Sequence, residues 1–262
     1  MTEPSQAEDL IDWLGSCTKD PIAFVLGAFP WGEEGPLKDE HPDPWQLDIL
    51  QQIKSGIIDL NTAIKIAVAS GHGIGKSTLV AWIILWGFTT LPDTRGRVTA
   101  GTETQLKTTT WAELGKWFNL FIGKDHFVLS ATSLRSKDPE RDQTWRIDMV
   151  PWSESNPQAF AGMHNKGRRI IYIFDEGSTI SDIIYETAEG ALTDKDTEII
   201  WCVFGNPTKN SGRFRELFPG QRFNFGWQTR SIDSRTVAIT NKQDIQNKID
   251  LYGDDSDYVR IR

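Results

Sequence analysis

The sequence predicts an α/β fold with a mostly parallel central sheet flanked by helices. Three observations carry that expectation. A glycine-rich run, Ser70-Gly71-His72-Gly73-Ile74-Gly75-Lys76-Ser77-Thr78, lies between an alternating apolar segment (63–69) and a long apolar one (79–86). Two continuous apolar runs follow, Arg169-Ile170-Ile171-Tyr172-Ile173-Phe174 and Glu198-Ile199-Ile200-Trp201-Cys202-Val203-Phe204. Such runs suit strands covered on both faces. Segments with helical spacing alternate with these strands, which favours a parallel sheet with right-handed crossovers.

The elements follow in order along the chain. Residues 2–14 suit a short acidic amphipathic helix with Leu10, Ile11 and Leu14 on one face. Residues 15–44 are rich in Gly, Pro and charge and read as an irregular lead-in. A helix is expected after Pro42-Asp43-Pro44, with apolar positions at 47, 49, 50 and 53 and Asp43 as its cap. Residues 63–69 then form a strand, and a buried helix covers about 76–88. Pro92-Asp93 makes a turn, 97–101 a strand, and 102–121 a helix with Leu106, Trp111, Leu114, Trp117 and Phe118 as its apolar set. Residues 122–160 read as a β-rich excursion, with strand signals at 127–129 and 145–150. A helix is expected at 183–191. The tail, 241–262, is polar and acidic, with a helix around 242–251. The resulting division is a lead-in (1–40), a core (41–240) and a closing linker segment (241–262).

Composition narrows the function. The chain has 262 residues, 39% apolar and 24% charged, which fits a globular protein of one large domain or one with a small appendage. No apolar stretch is long enough to span a membrane, and the N-terminus lacks the features of a secretory signal. Two cysteines, Cys17 and Cys202, imply a reducing compartment and no disulfide framework. Four scattered histidines argue against a zinc site. A net charge of −8 argues against tight static binding of nucleic acid, though not against a motor that touches DNA through a few local basic groups. The eleven tryptophans are expected mostly in the core or at an interface.

The glycine run carries the chemistry. Strand, glycine loop and helix in that order form a phosphate-binding context. Glycines let backbone N–H groups converge on an anion, and the helix N-terminus adds partial positive charge. Residues 70–78 are therefore the candidate nucleotide-binding segment. Lys76 reaches the outer phosphates and the Ser77 hydroxyl ligates Mg²⁺. The full pattern has Gly at the place that Ser70 occupies here. Asp175-Glu176 closes the strand at 170–174, where ligands bind in open α/β sheets. The first carboxylate supports Mg²⁺ and the second activates the attacking water. That arrangement defines an ASCE-type P-loop NTPase. Phe204-Gly205-Asn206-Pro207-Thr208 ends another buried strand, and Asn206 offers an amide to sense the γ-phosphate. Upstream, Gln46 has the donor and acceptor to read an adenine edge and Trp45 a ring to pack on it; a core role for that Trp is equally open.

Together these motifs resemble the large subunit of a tailed-phage terminase, over roughly residues 40 to 262. The resemblance rests on Pro44-Trp45-Gln46, the 70–77 loop, Ile173-Phe174-Asp175-Glu176-Gly177-Ser178 and Gly205-Asn206-Pro207-Thr208. It also rests on the ending from Tyr252 to Arg262. It implies an ATP-driven motor that packages double-stranded DNA into a procapsid in the host cytoplasm. It further implies a small-subunit partner and a portal protein, with a ring of subunits when packaging and a monomer in isolation. By position, Trp45 and Gln46 match the adenine element, and Lys76 and Ser77 the phosphate and Mg²⁺ ligands. Asp175 matches the metal-associated carboxylate, Glu176 the catalytic one, and Asn206 the coupling element. The family's C-terminal nuclease domain is expected to be absent from this chain. Relatives carry an arginine near 158–164 and this sequence has none there, so Arg135, Arg141, Arg168, Arg169, Arg213 and Arg215 stay open as charge-stabilising residues. Two other functions fit the same loop: a helicase or DNA-remodelling ATPase, and a nucleotide-dependent interaction module with little turnover.

Overall fold

The computed structural model describes residues 6–60 and 62–260. Residues 2–5 of the expected N-terminal helix, and residues 261–262 of the tail, lie outside the described residues. Eight strands form one sheet: β1 (Ile64–Ser70), β2 (Arg95–Thr99), β3 (Phe127–Leu129), β4 (Ser133–Ser136), β5 (Arg146–Met149), β6 (Arg169–Phe174), β7 (Glu198–Gly205) and β8 (Trp227–Ile232). Their spatial order is β3-β4-β5-β2-β6-β7-β1-β8. Every pairing from β5 to β8 is parallel, and β3–β4 and β4–β5 are antiparallel. The fold is thus the α/β sheet that the apolar runs predict. β7 lies between the strand that precedes the glycine loop, β1, and the strand that ends in the acidic pair, β6.

The helices are α1 (Gln6–Ser16), α2 (Pro21–Ala28), α3 (Pro44–Gly56), α4 (Lys76–Thr89), α5 (Glu103–Gln105), α6 (Trp111–Leu120), α7 (Asp182–Glu189), α8 (Arg213–Glu216), α9 (Lys242–Tyr252) and α10 (Asp257–Arg260). A π turn, Leu106–Thr110, joins α5 to α6, so the single helix expected at 102–121 is a composite.

Alternate residues of the central strands feed two apolar layers, as the pleat requires. Ile66, Val68, Ile171, Ile173, Ile200, Cys202 and Phe204 face a layer with residues of α2, α3, α4 and α6. Tyr172, Phe174, Trp201 and Val203 face a second layer with α7 and Phe214 of α8. Helix α4 is apolar on every side and buried from Leu79 to Thr89, as a central helix should be. None of the eleven tryptophans is exposed.

The lead-in departs from expectation. Asp20 caps α2 by accepting from the Ala23 N–H at 3.1 Å, and Pro21 occupies the first turn. Pro there is pre-set for a helix start rather than a break. Phe24, Val25 and Ala28 are fully buried in the same layer as α4. Residues 15–44 are therefore partly helical, and part of them belongs to the core rather than preceding it.

A buried ion pair ties this lead-in to the sheet. Arg169, fully buried at the start of β6, pairs with Glu198 of β7 at 2.7 Å. Its guanidinium also donates to the carbonyls of Gly87 and Thr18, at 3.1 and 2.7 Å, and lies over the Trp86 ring. Burial lowers its pKa, and Glu198 opposes that. Removing one partner of such a pair strands the other charge. Arg169→Ala is expected to lower unfolding stability by about 3–5 kcal/mol, read as a shift in urea midpoint at unchanged slope; a shift under about 1 kcal/mol, the range of an exposed pair, contradicts the role assigned to this contact.

Candidate active site

Three parallel strands end side by side and bring the sequence motifs to one edge. Ala69 at the end of β1 pairs with Gly205 of β7, and Phe174 at the end of β6 pairs with Val203 of the same strand. The loop after β1, Asn206 after β7 and Asp175-Glu176 after β6 therefore emerge together.

The loop is built from its glycines. Gly73 and Gly75 have φ of +71° and +86°, in the left-handed region that other residues avoid. Gly75 is the residue before α4, so this conformation turns the chain directly into the helix N-terminus. Ile74 is buried and anchors the loop to the core, while His72 and Gly73 are exposed. Lys76, in the first turn of α4, folds back. Its Nζ donates to Gly71 O at 2.8 Å and lies 3.5 Å from Ser70 O. Burial pushes the Lys76 pKa down, and Glu176 and Asp175 push it back up. Among the described residues its hydrogen bonds go to loop carbonyls, and a buried amine so held gains from a charged acceptor.

Gln46 supports the loop from α3. Asp43 and Gln46 form a capping box in which Gln46 Oε1 accepts from the Asp43 N–H at 2.8 Å. Gln46 Nε2 donates to Gly75 O at 3.0 Å. Both ends of its amide are thus engaged. Trp45 is buried in the apolar layer, with its indole N–H lacking a hydrogen-bond partner. Gln46 thus acts as a strut under the loop, and Trp45 packs in the apolar layer beside it in sequence.

The acidic pair is asymmetric. Asp175 is buried, and burial raises its pKa despite the bonds that oppose the shift. Its Oδ2 accepts from Thr110 Oγ1 at 2.7 Å and its Oδ1 from the Glu176 N–H at 3.1 Å. Glu176 is half-buried and adopts φ +51°, ψ +45°. A left-handed conformation in a glutamate costs about 1–2 kcal/mol, and such strain persists only where the surroundings impose it. The packing around it leaves no slack. A Cβ on Gly101 would stand 2.1 Å from Thr179 Oγ1 and 3.3 Å from the Glu176 Cβ, and one on Gly177 2.5 Å from Val203 Cγ1.

Asn206 is buried between loop and acids. Its Nδ2 donates to His72 Nε2 at 2.8 Å in the tautomer that protonates the other ring nitrogen. Its Oδ1 is buried without a hydrogen-bond partner. An orphaned buried acceptor at the site is a place for a donor to bind. Among the described residues no group of three or more His, Cys, Asp or Glu could hold a metal ion by itself. Ser77 and Asp175 suit a divalent ion that takes its other ligands from water and phosphates, so the residues present fit Mg²⁺ bound with a nucleotide. Ser70 is buried beneath the loop, and the Thr78 hydroxyl donates to Glu113 Oε1 at 2.8 Å.

Two cavities flank the loop. One, of about 460 Å³, is lined by Ser70, Gly71, Pro207, Lys209 and Arg215 among others. The other, of about 420 Å³, is walled by His72, Gly73, Ile239, Asn241 and Tyr258 among others. Of the arginines left open by the sequence, Arg169 and Arg213 are buried in ion pairs, and Arg135, Arg141 and Arg168 pair with Asp142 or Asp93. Arg215 is the one that borders the loop cavity. Thr110, Glu113 and Gly101 were not marked by sequence reasoning. They belong to no motif, and only the fold brings them beside the acids and the loop.

No family model matches the chain. In sequence it is similar to a probable terminase large subunit of Enterobacteria phage P7, 30% identical over 209 residues. That match takes in 76% of this chain and 40% of the relative, so the chain spans well under half of the relative's length. In fold it is similar to the large terminase of a thermophilic bacteriophage in complex with ADP. The TM-score is 0.59 at 12% identity, over 83% of this chain and 51% of that one. It is also similar to the large terminase ATPase domain of Thermus phage P74-26. There the TM-score is 0.57 at 15% identity, over 85% of this chain and 94% of that one. By sequence the chain resembles a terminase large subunit, and its fold is the one seen in the large terminase and terminase ATPase-domain structures.

The strain at Glu176 has a measurable consequence. Glycine relieves the left-handed cost but carries extra unfolded-state entropy. Glu176→Gly is therefore expected to unfold with roughly 0.5–1 kcal/mol more stability than Glu176→Gln, measured by urea titration. A Gly variant less stable than the Gln variant contradicts the strain.

Proposed function

We propose that this chain is the ATP-hydrolysing motor portion of a viral DNA-packaging terminase large subunit. One observation carries the reading most: the buried, orphaned Asn206 acceptor sits at the strand end between the glycine loop and the acidic pair. The sequence similarity to a terminase large subunit supports it, and so does the likeness to a terminase structure that holds ADP.

Each residue takes a role from its place. The N–H groups of residues 71–76 cradle the phosphates, with Lys76 exchanging the Gly71 carbonyl for the outer ones. Gln46 lies against Gly75 and is the amide placed to trade its backbone contact for a purine edge, with Trp45 behind it in the core. Ser77 and Asp175 would hold Mg²⁺, which when bound neutralises charge on the phosphates. Glu176 orients a water and takes its proton as the oxygen attacks the terminal phosphorus; the bond to the ADP oxygen breaks and phosphate leaves. Asn206 registers the terminal phosphate through the attacking water, whose second O–H donates to Oδ1, and relays its presence through His72. Arg215, on the loop cavity, is the arginine placed to stabilise the charge that develops.

The work of the cycle is translocation of double-stranded DNA into a procapsid. The partners are the terminase small subunit and a portal protein, with the chain acting in a ring of copies in the host cytoplasm. Among the described residues no helix is long and apolar enough to cross a membrane. The net charge of −8 fits contacts to DNA that are local and broken in every cycle.

Glu176→Gln is expected to cut ATP turnover at least about a hundredfold while nucleotide affinity stays close to that of the parent chain. Phosphate release and fluorescent-nucleotide binding separate the two effects, and parental turnover in the variant defeats the assignment. Lys76→Ala is expected to reverse the pattern by weakening nucleotide binding itself, in the same binding assay, by about tenfold or more.

A further inference from the structure

One helical segment outside every sequence motif reaches both halves of the site. Thr110 Oγ1 donates to Asp175 Oδ2 at 2.7 Å, and both residues are buried. Three residues on, Glu113 Oε1 accepts from Thr78 Oγ1 at 2.8 Å and from Trp117 Nε1 at 2.8 Å. Thr78 follows Ser77 in the first turn of α4. Residues i and i+3 share a helix face, so this face is aimed at the loop edge. The π turn Leu106–Thr110 ends on the residue that touches Asp175. π turns are rare and occur often at functional sites.

The contact decides the orientation of a carboxylate. Each Asp175 oxygen receives one donor, Thr110 on Oδ2 and the Glu176 N–H on Oδ1. A carboxylate oxygen offers about two lone pairs. One remains on each, in a plane that the two bonds define. Without Thr110 only the Glu176 N–H would fix that plane.

We infer that Thr110 is a positioning residue for the metal-associated carboxylate: it sets the plane of Asp175 for a divalent cation bound with the nucleotide. Glu113 holds Thr78, next to Ser77, from the same helix. This rests on the nucleotide-hydrolase reading above and adds to it the group that orients the metal's protein partner. Groups that orient metal ligands commonly carry about 10–100-fold of metal affinity.

The test is a Mg²⁺ titration of fluorescent-ADP binding to the purified chain, with an EDTA arm, for the parent and for Thr110→Val, Thr110→Ala and Thr110→Ser. Val and Ala remove the hydroxyl with different bulk, so one remains informative if the other does not fold; Ser keeps it. The expected result is metal-free affinity within about twofold of the parent for all three. Val and Ala need about tenfold more Mg²⁺ to reach the tight-binding state, and Ser behaves as the parent. Parental Mg²⁺ dependence in Val or Ala overturns the inference. So does an equal loss with and without metal, or a Ser variant no better than Ala. If the parent itself shows no nucleotide binding, the nucleotide reading fails and this inference with it. If the parent binds and the variants match it, this inference alone fails.

Discussion

The parallel register of β6, β7 and β1 is the constraint on which everything else in the molecule depends. It sets Phe174 beside Val203 and Ala69 beside Gly205, so three segments far apart in the chain end at one edge. Each strand contributes one kind of group at its end: a glycine-rich loop, a buried amide and a pair of acids. Shifting one strand by a residue would turn its apolar set to the other layer. Both layers are densely filled with Ile, Phe and Trp, which makes that shift costly. The site is therefore held in place by the core beneath it.

The site is also polarised by burial. Asp175 is pressed toward its neutral form and Lys76 toward its own by loss of water, while each favours the charge of the other. Asn206 keeps an acceptor unsatisfied, and Glu176 holds a backbone conformation that glutamate disfavours. These are local costs that folding to a merely stable structure would avoid. They occur together at one strand edge, as expected where function overrides local preference.

Much of this could be read from the sequence because the physical signals are local. Buried parallel strands show as unbroken apolar runs, and β6 and β7 fall where those runs do. Asp175, Glu176 and Asn206 were identifiable because a polar residue directly after such a run must lie at the sheet edge. Other parts carry weaker signals. β8, Trp227–Ile232, carries four consecutive polar residues, Gln228 to Ser231, because it is an edge strand with only Trp227 buried, and β4 is short and polar, so its pattern barely rises above that of a loop. Helix α2 was hidden in a Gly- and Pro-rich stretch, although Asp20-Pro21 is itself a helix-start signal. Gln46 was read for a base edge, yet its spacing from Asp43 also spells a capping box, and both of its amide atoms are engaged in the structure. Thr110 acts on a residue 65 positions away through a π turn, and nothing in local spacing announces such a contact.

The central claim is that a triphosphate is bound and cleaved where these three strand ends meet. A crystal structure with a non-hydrolysable ATP analogue and Mg²⁺ tests it most directly. The account predicts the phosphates in the 71–76 loop, with the Lys76 amine moved from the Gly71 carbonyl to an outer phosphate oxygen. It also predicts Asn206 Oδ1 satisfied and a water held between Glu176 and the terminal phosphorus. A loop left empty at saturating analogue, or phosphates bound away from Asp175 and Glu176, would contradict it.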